Sequence, residues 1–318
     1  AITEIISETG IACIAHHHDF YWERTRFLKN AVGEYLQMAF PPKLPAIQHV
    51  VINTKARSEL AHRRGIAAAL IPNVLDFENP KRINGKKKEA IRQSLDLNRD
   101  DIVILQPTRV IKRKGIEIAV ELVKALKDPR CKLVISHQGD DEGVEYGQWL
   151  TNYAQECGVD LRIVNSYVQS PWNKNGGKNK KFSLWDLYPL ADFITFPSRN
   201  EGFGNALLEA IYFNKPVLVN RYANFVRDIE PLGFDLISID GFISKEAVQA
   251  VKTMLNSPEQ QNRITAYNFR IASRYFSYTR LEKNLNYLTD TLLTEKAQIE
   301  KPGFPCMTEP PDLVRLAV

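Results

Sequence analysis

Phe193-Ile194-Thr195-Phe196-Pro197-Ser198-Arg199-Asn200-Glu201-Gly202-Phe203-Gly204-Asn205-Ala206-Leu207-Leu208-Glu209 is the stretch on which the reading of this chain turns. Phe193 to Phe196 is aromatic and β-branched at successive positions, the pattern of a strand covered on both faces. A polar, glycine-bearing loop follows, and the composition from Ala206 onward is helical. The loop thus lies at the carboxyl end of a strand and opens a helix, which is where open α/β sheets bind ligands. Gly202 and Gly204 let the backbone approach a ligand and tolerate positive φ. Free N–H groups at a helix start, with the helix dipole behind them, favour a phosphate. Glu201 and Glu209 supply carboxylates able to accept hydrogen bonds from sugar or ribose hydroxyls. A glycine-rich turn with two surface glutamates would look the same in isolation, so the surroundings decide.

Outward from that stretch, short apolar runs alternate with longer helical patterns, the signature of βαβ units and parallel sheets. The expected strands are Ile11–Ala15, His49–Ile52, Ala69–Ile71, Ile102–Gln106, Lys132–Ser136, Leu161–Val164, Phe193–Phe196, Pro216–Val219 and Asp235–Ile239. Helices are expected at Ile116–Leu126, Glu145–Glu156, Ala206–Phe213 and Lys245–Leu255, with two more between Pro258 and about Ile299. A polar, basic run, Lys81 to Lys88, reads as a solvated linker. From Asp101 the pattern restarts as a complete doubly wound unit of about six strands. Asn173 to Lys181 reads as a basic surface loop, and the proline-bearing tail after Lys301 as irregular.

The 318 residues are long enough for two domains, with 44% hydrophobic and 25% charged residues, an ordinary globular balance. A net charge of +5 suits an anionic ligand or a peripheral contact with a membrane surface, and falls short of a nucleic-acid-binding signature. No apolar run of about 18 residues is present. Cys13, Cys131, Cys157 and Cys306 are scattered without a CxxC pair, which fits a reducing, cytoplasmic location. The chain opens at Ala1 and soon enters Ile11-Ala12-Cys13-Ile14-Ala15, a buried-strand pattern, so an N-terminal portion of the natural protein is expected to be missing.

A second loop has the same placement as the first. Strand Ile102–Gln106 leads through Pro107-Thr108-Arg109-Val110-Ile111-Lys112-Arg113-Lys114-Gly115 into the helix from Ile116. Arg109 and Lys114 bracket this turn and can clamp a diphosphate, Arg through its planar fork and Lys as a point charge. A third segment, Ile14-Ala15-His16-His17-His18-Asp19, also follows a strand. Adjacent residues do not easily turn three rings to one ion, so a metal is disfavoured. A neutral imidazole there can hydrogen-bond a sugar hydroxyl. The chain lacks a Walker A loop, a GxGxxG after a strand, an HExxH and a GxSxG elbow. It also lacks an Asp-x-Asp pair to hold a divalent ion on a diphosphate.

Together these segments resemble the retaining glycosyltransferases of the GT-B fold, specifically glycosyltransferase family 4 (group 1). The resemblance runs from about Ile11 to Leu292 and is strongest at Glu201 to Glu209, with Arg109 and Lys114-Gly115 as the diphosphate clamp and Ile71-Pro72-Asn73 as the link between domains. It implies an α/β architecture of two Rossmann-like domains with the N-terminal one incomplete: 1–76 as its remainder, 77–265 as the nucleotide-sugar domain, 266–300 as helices crossing back, and 301–318 as tail. Roughly a hundred residues of the family's first domain are expected to be absent.

The resemblance assigns Glu201 to hydroxyls of the donor sugar and Glu209 to the ribose, with Ser198 and Leu208 in the same donor-binding element. Phe203, Gly204 and Asn205 would offer backbone N–H groups. Arg109 and Lys114 would stabilise the leaving diphosphate. His18 best fits the family's histidine near the reacting carbon, with His17 the alternative. The implied reaction is metal-independent, retaining transfer of a hexosyl group from a UDP- or GDP-sugar to an acceptor hydroxyl that the sequence does not identify. It needs no cofactor beyond the donor substrate. Rival readings are a nucleotide-sugar epimerase or hydrolase, and a non-catalytic nucleotide-sugar-binding protein.

Overall fold

The structure, a computed structural model, describes residues 2–23, 29–81, 85–137, 144–164, 168–169 and 182–299. The Asn173–Lys181 loop and the tail from residue 300 lie outside the described residues. Two parallel sheets organise the chain. The first has strands β1 (Cys13–His17), β2 (Ile47–Val51) and β3 (Ala68–Leu70) in that spatial order, with Ala15 opposite His49 and Val50 opposite Ala69. Helices α1 (Ile2–Thr9), α2 (Gly33–Ala39) and α3 (Thr54–Arg64) accompany it.

The second sheet has six strands: β4 (Ile102–Arg109), β5 (Cys131–His137), β6 (Leu161–Ile163), β9 (Phe193–Phe196), β10 (Val217–Asn220) and β11 (Ile237–Ile239). A minimal parallel pair, β7 (Val168–Gln169) with β8 (Phe182–Ser183), stands apart. The spatial order is β11-β10-β9-β4-β5-β6. The chain enters at β4, builds outward through β6, then crosses back to lay β9 on the other side of β4. Strand order therefore reverses between β4 and β9, and connections leave their carboxyl ends in opposite directions. That divergence opens a crevice.

Burial explains why the central elements form where they do. Phe193, Ile194 and Phe196 of β9 are each no more than 1% exposed, so neither face of the strand meets water. Helix α5 (Ile116–Leu126) buries Ile116, Ile118, Val120, Leu122 and Leu126 among the sheet's apolar side chains. Each such aliphatic side chain contributes about 1.5–3 kcal/mol relative to exposure. Further along the chain, Ser244 caps α9 (Lys245–Asn256) by accepting from the Ala247 N–H at 3.2 Å. Pro258 occupies the first turn of α10 (Pro258–Tyr275), where its missing N–H costs nothing. The last helix, α11 (Tyr278–Ile299), reaches the first sheet, packing Leu281 and Leu288 against Ala69, Val50 and Ile71.

Three expectations are corrected. β1 spans Cys13–His17 rather than Ile11–Ala15, and among the described residues it lies at the edge of its sheet with alternating exposure. Helix α1 precedes it. Lys86, Lys87 and Lys88 open helix α4 (Gly85–Ser94), whose Ile91 is fully buried, so the basic run is the wet face of an amphipathic helix rather than a linker.

Candidate active site

The crevice at the β4/β9 switch point contains a cavity of about 350 Å3, within the range of small-molecule sites. Its two principal walls are the loops after β4 and β9, and backbone contacts hold them together. Arg199 N–H donates to the Arg113 carbonyl at 2.9 Å. Gly115 sits at φ +61°, and a Cβ there would fall 2.6 Å from the Pro197 carbonyl oxygen. Only glycine fits, for both reasons. Gly204, at φ +113°, ends the second loop and starts α8 (Asn205–Tyr212). The first N–H groups of a helix have no intrahelical partner, and Gly204, Asn205 and Ala206 line the cavity where those groups open. Gly202 does not have positive φ, and a Cβ there would meet His18, Asp19 and Ile52 of the first sheet's loops at ordinary contact distance, 3.8 Å.

The charged centre is Glu201. Lys114 Nζ hydrogen-bonds Glu201 Oε1, and both side chains are 11% exposed. Arg113 Nη1 approaches Glu201 Oε2 at 3.4 Å and donates to the Asn200 carbonyl at 3.1 Å. Burial pushes the Lys114 ammonium below the usual lysine range, while the Glu201 charge opposes that shift. A buried ammonium paired to one carboxylate is poised to stabilise another anion brought beside it. Arg109, exposed at the end of β4, lines the same cavity.

Glu209 lies deeper. Its carboxylate accepts from the Tyr188 hydroxyl at 2.6 Å and from Trp185 Nε1 at 3.3 Å. Burial raises its carboxyl above the ordinary range, and those two donors partly offset the effect. It borders the cavity with acceptor capacity left over, since a carboxylate offers about four lone pairs.

The first sheet supplies the opposite wall. His18 and Asp19, after β1, line the cavity, as does Asn73 after β3. His16 and His17 are engaged within their own sheet: His16 Nε2 lies 3.3 Å from the Ile71 carbonyl, and His17 Nε2 lies 2.8 Å from His49 Nδ1. Burial and the neighbouring His49 lower the His17 imidazole to about 4, so it is neutral near pH 7. Among the described residues no group of three or more His, Cys, Asp or Glu is gathered for a metal. No helix among them is long and apolar enough to cross a membrane.

The structure thus brings His18, Arg109, Lys114, Glu201, Phe203, Gly204, Asn205 and Glu209 to one cavity. Two expected donor-site residues stand apart from its lining. Ser198 is fully buried beneath the loop, its carbonyl accepting from Asn220 Nδ2 at 3.1 Å. The Leu208 side chain is in the apolar core, and its N–H donates back to the Gly204 carbonyl at 3.2 Å. Sequence reading passed over His137, at the end of β5, and the buried amides of Asn53 and Asn224. His137 obeys the strand-end rule that singled out Arg109 and could have been found by it. The two asparagines reach the Glu201 loop across long sequence separations, and no local signal marks them.

Against this geometry the comparisons with known proteins agree. Residues 173–270 match the family model described as glycosyl transferases group 1. Mannosylglucosylglycerate synthase of Thermotoga maritima is 35% identical, the match covering 86% of this chain and 69% of that protein. The chain belongs to the group 1 glycosyltransferases. The enzyme of the same name from Petrotoga mobilis is 37% identical, over 75% of this chain and 59% of that protein. The chain therefore spans between about three fifths and seven tenths of these relatives' lengths.

Among solved structures, the Anabaena protein HepE in complex with UDP and glucose superposes with a TM-score of 0.65 at 17% identity, covering 88% of this chain and 71% of that one. WaaG, a glycosyltransferase involved in lipopolysaccharide biosynthesis, gives 0.62 at 15% identity, covering 91% and 80%. These neighbours show the fold, GT-B.

Proposed function

We propose that this chain carries the donor site of a retaining glycosyltransferase that moves a hexosyl group from a UDP- or GDP-sugar to an acceptor hydroxyl without a divalent metal. The observation that carries the reading is the buried Lys114–Glu201 pair at the switch-point cavity, beside Arg109 and the start of α8. The diphosphate would lie against that helix start with Arg109 and Lys114 neutralising it, the electrostatic role a metal otherwise serves. Glu201 would hold sugar hydroxyls, Glu209 the ribose, and His18 the sugar face near the reacting carbon.

In the step itself the C1–O bond to the diphosphate breaks and a bond forms from the acceptor oxygen to C1 on the same face. The acceptor's proton passes to the departing phosphate oxygen, and the nucleoside diphosphate leaves. The relatives named mannosylglucosylglycerate synthase favour a mannosyl group as the transferred sugar and glucosylglycerate as the acceptor. A glycosidase reading needs two carboxylates facing each other across the scissile bond. Glu209 is instead turned to Tyr188 and Trp185.

The test is turnover of a panel of UDP-, GDP- and ADP-sugars with glucosylglycerate, with the product's anomeric configuration read by NMR and activity compared with and without EDTA. Retained configuration, indifference to EDTA and loss of about a hundredfold or more in Lys114→Ala and Glu201→Ala are expected. An inverted product, or full activity in both variants, rules the assignment out.

A further inference from the structure

Both oxygens of Glu201 are held by cations from a single turn, Lys114 on Oε1 and Arg113 on Oε2. The Arg113 Nη1 that approaches Oε2 at 3.4 Å also donates to the Asn200 carbonyl at 3.1 Å, so the guanidinium lies along the Glu201 loop. Its own carbonyl is fixed by the Arg199 N–H at 2.9 Å, and Gly115 anchors the turn against Pro197. Arg109 by contrast stands at the end of β4, at the strand edge. All three cations line one cavity.

We propose that Arg113 is a positioning residue for the donor sugar, acting through Glu201, and is not a third diphosphate ligand. The inference rests on the function proposed above. A lysine that serves a diphosphate must share itself with that new anion, which loosens its hold on Glu201 Oε1. Arg113 keeps Oε2 fixed meanwhile, so the remaining lone pairs of the carboxylate stay aimed at the sugar hydroxyls. Lysine at this position keeps the charge but carries it on a flexible stem, without the rigid guanidinium plane that fixes Nη1 between a carbonyl and a carboxylate.

The experiment is isothermal titration of this chain with UDP-glucose and GDP-mannose and, separately, with UDP and GDP, for the unaltered chain and its Arg113→Ala, Arg113→Lys and Glu201→Gln variants, with melting curves to verify folding. Arg113→Ala is expected to weaken the nucleotide sugar about tenfold, the scale of one charge-assisted hydrogen bond, and to leave the nucleoside diphosphate within about twofold. Arg113→Lys should fall between. In a Glu201→Gln background the Arg113→Ala loss should largely vanish, because the group it acts through is already disabled. Parallel weakening of sugar-bearing and sugar-free nucleotides would make Arg113 a phosphate ligand and overturn the proposal. Unchanged affinity for both would overturn it equally. If the unaltered chain bound none of the four nucleotides, the proposed function would fall first, and this inference with it.

Discussion

Glu209 illustrates how a residue's surroundings change the role that sequence suggests. In the sequence it is a helical glutamate eight positions after Glu201, and nothing near it announces burial. In the structure it is half-buried at the cavity edge, its carboxylate accepting from the Tyr188 hydroxyl and the Trp185 N–H. Tyr188 is itself fully buried, and burial with the adjacent carboxylate keeps its phenol far above the ordinary range, so it serves as donor throughout. Tyr188→Phe removes one of two donors from this carboxylate without changing side-chain shape. Urea unfolding at pH 7 should show a loss of about 1–3 kcal/mol. Because the folded-state carboxyl is already raised above its unfolded value, the charged form is what the fold has to support as pH rises past about 4.5. The penalty should therefore shrink as pH falls from 7 through the raised folded-state range toward 4.5. Equal stability of the two proteins at pH 7 would contradict the assigned hydrogen bond.

At the scale of elements, the strands of the second sheet were the most legible. Phe193–Phe196, largely apolar and buried on both faces, and Ile116–Leu126, with an apolar stripe packed on the sheet, fall where composition placed them. Ends were less legible where polar residues continue a ladder, as His16 and His17 do in β1, or where Pro216 lacks the N–H to begin β10. The ligand loops could be located from strand ends and glycines. The resemblance placed Ser198 and Leu208 in the donor-binding element, and it could not say which side chains there point inward; both side chains turn away from the cavity. Gly115 carries the coupling between the two loops. Gly115→Ala puts an L-residue at φ +61° and a methyl group into the Pro197 carbonyl. A loss of about 2 kcal/mol or more in chemical denaturation is expected. Wild-type stability would mean that the two loops are not locked as described.

Across the whole molecule, the Glu201 loop is gripped from both sheets. Asn53 donates from the start of α3 to the Gly202 carbonyl at 2.8 Å while its Oδ1 accepts from the Ala56 N–H at 2.7 Å. Asn224 donates to the Glu201 carbonyl at 2.8 Å. In return, Asp228 accepts from the Thr54 N–H at 2.8 Å, so each unit caps or clamps an element of the other. The conformation of the donor loop consequently depends on contact between the two units, which no single segment of sequence could reveal. Asn53→Ser retains a helix-capping oxygen but cannot reach Gly202, whose carbonyl keeps Asn224 as a partner. Its stability cost should stay near 1 kcal/mol, while nucleotide-sugar affinity falls several-fold. Full affinity in Asn53→Ser would show that the loop holds its shape without the first sheet.

The central claim is that the Lys114–Glu201 cavity receives the diphosphate and sugar of the donor. It is tested most directly by a crystal structure of the chain grown with GDP-mannose or UDP-glucose. The account predicts diphosphate oxygens within hydrogen-bonding distance of Lys114 Nζ and the first N–H groups of α8, with the sugar hydroxyls on Glu201. A nucleotide bound elsewhere, with the Lys114–Glu201 pair undisturbed and its cavity occupied only by solvent, would contradict it.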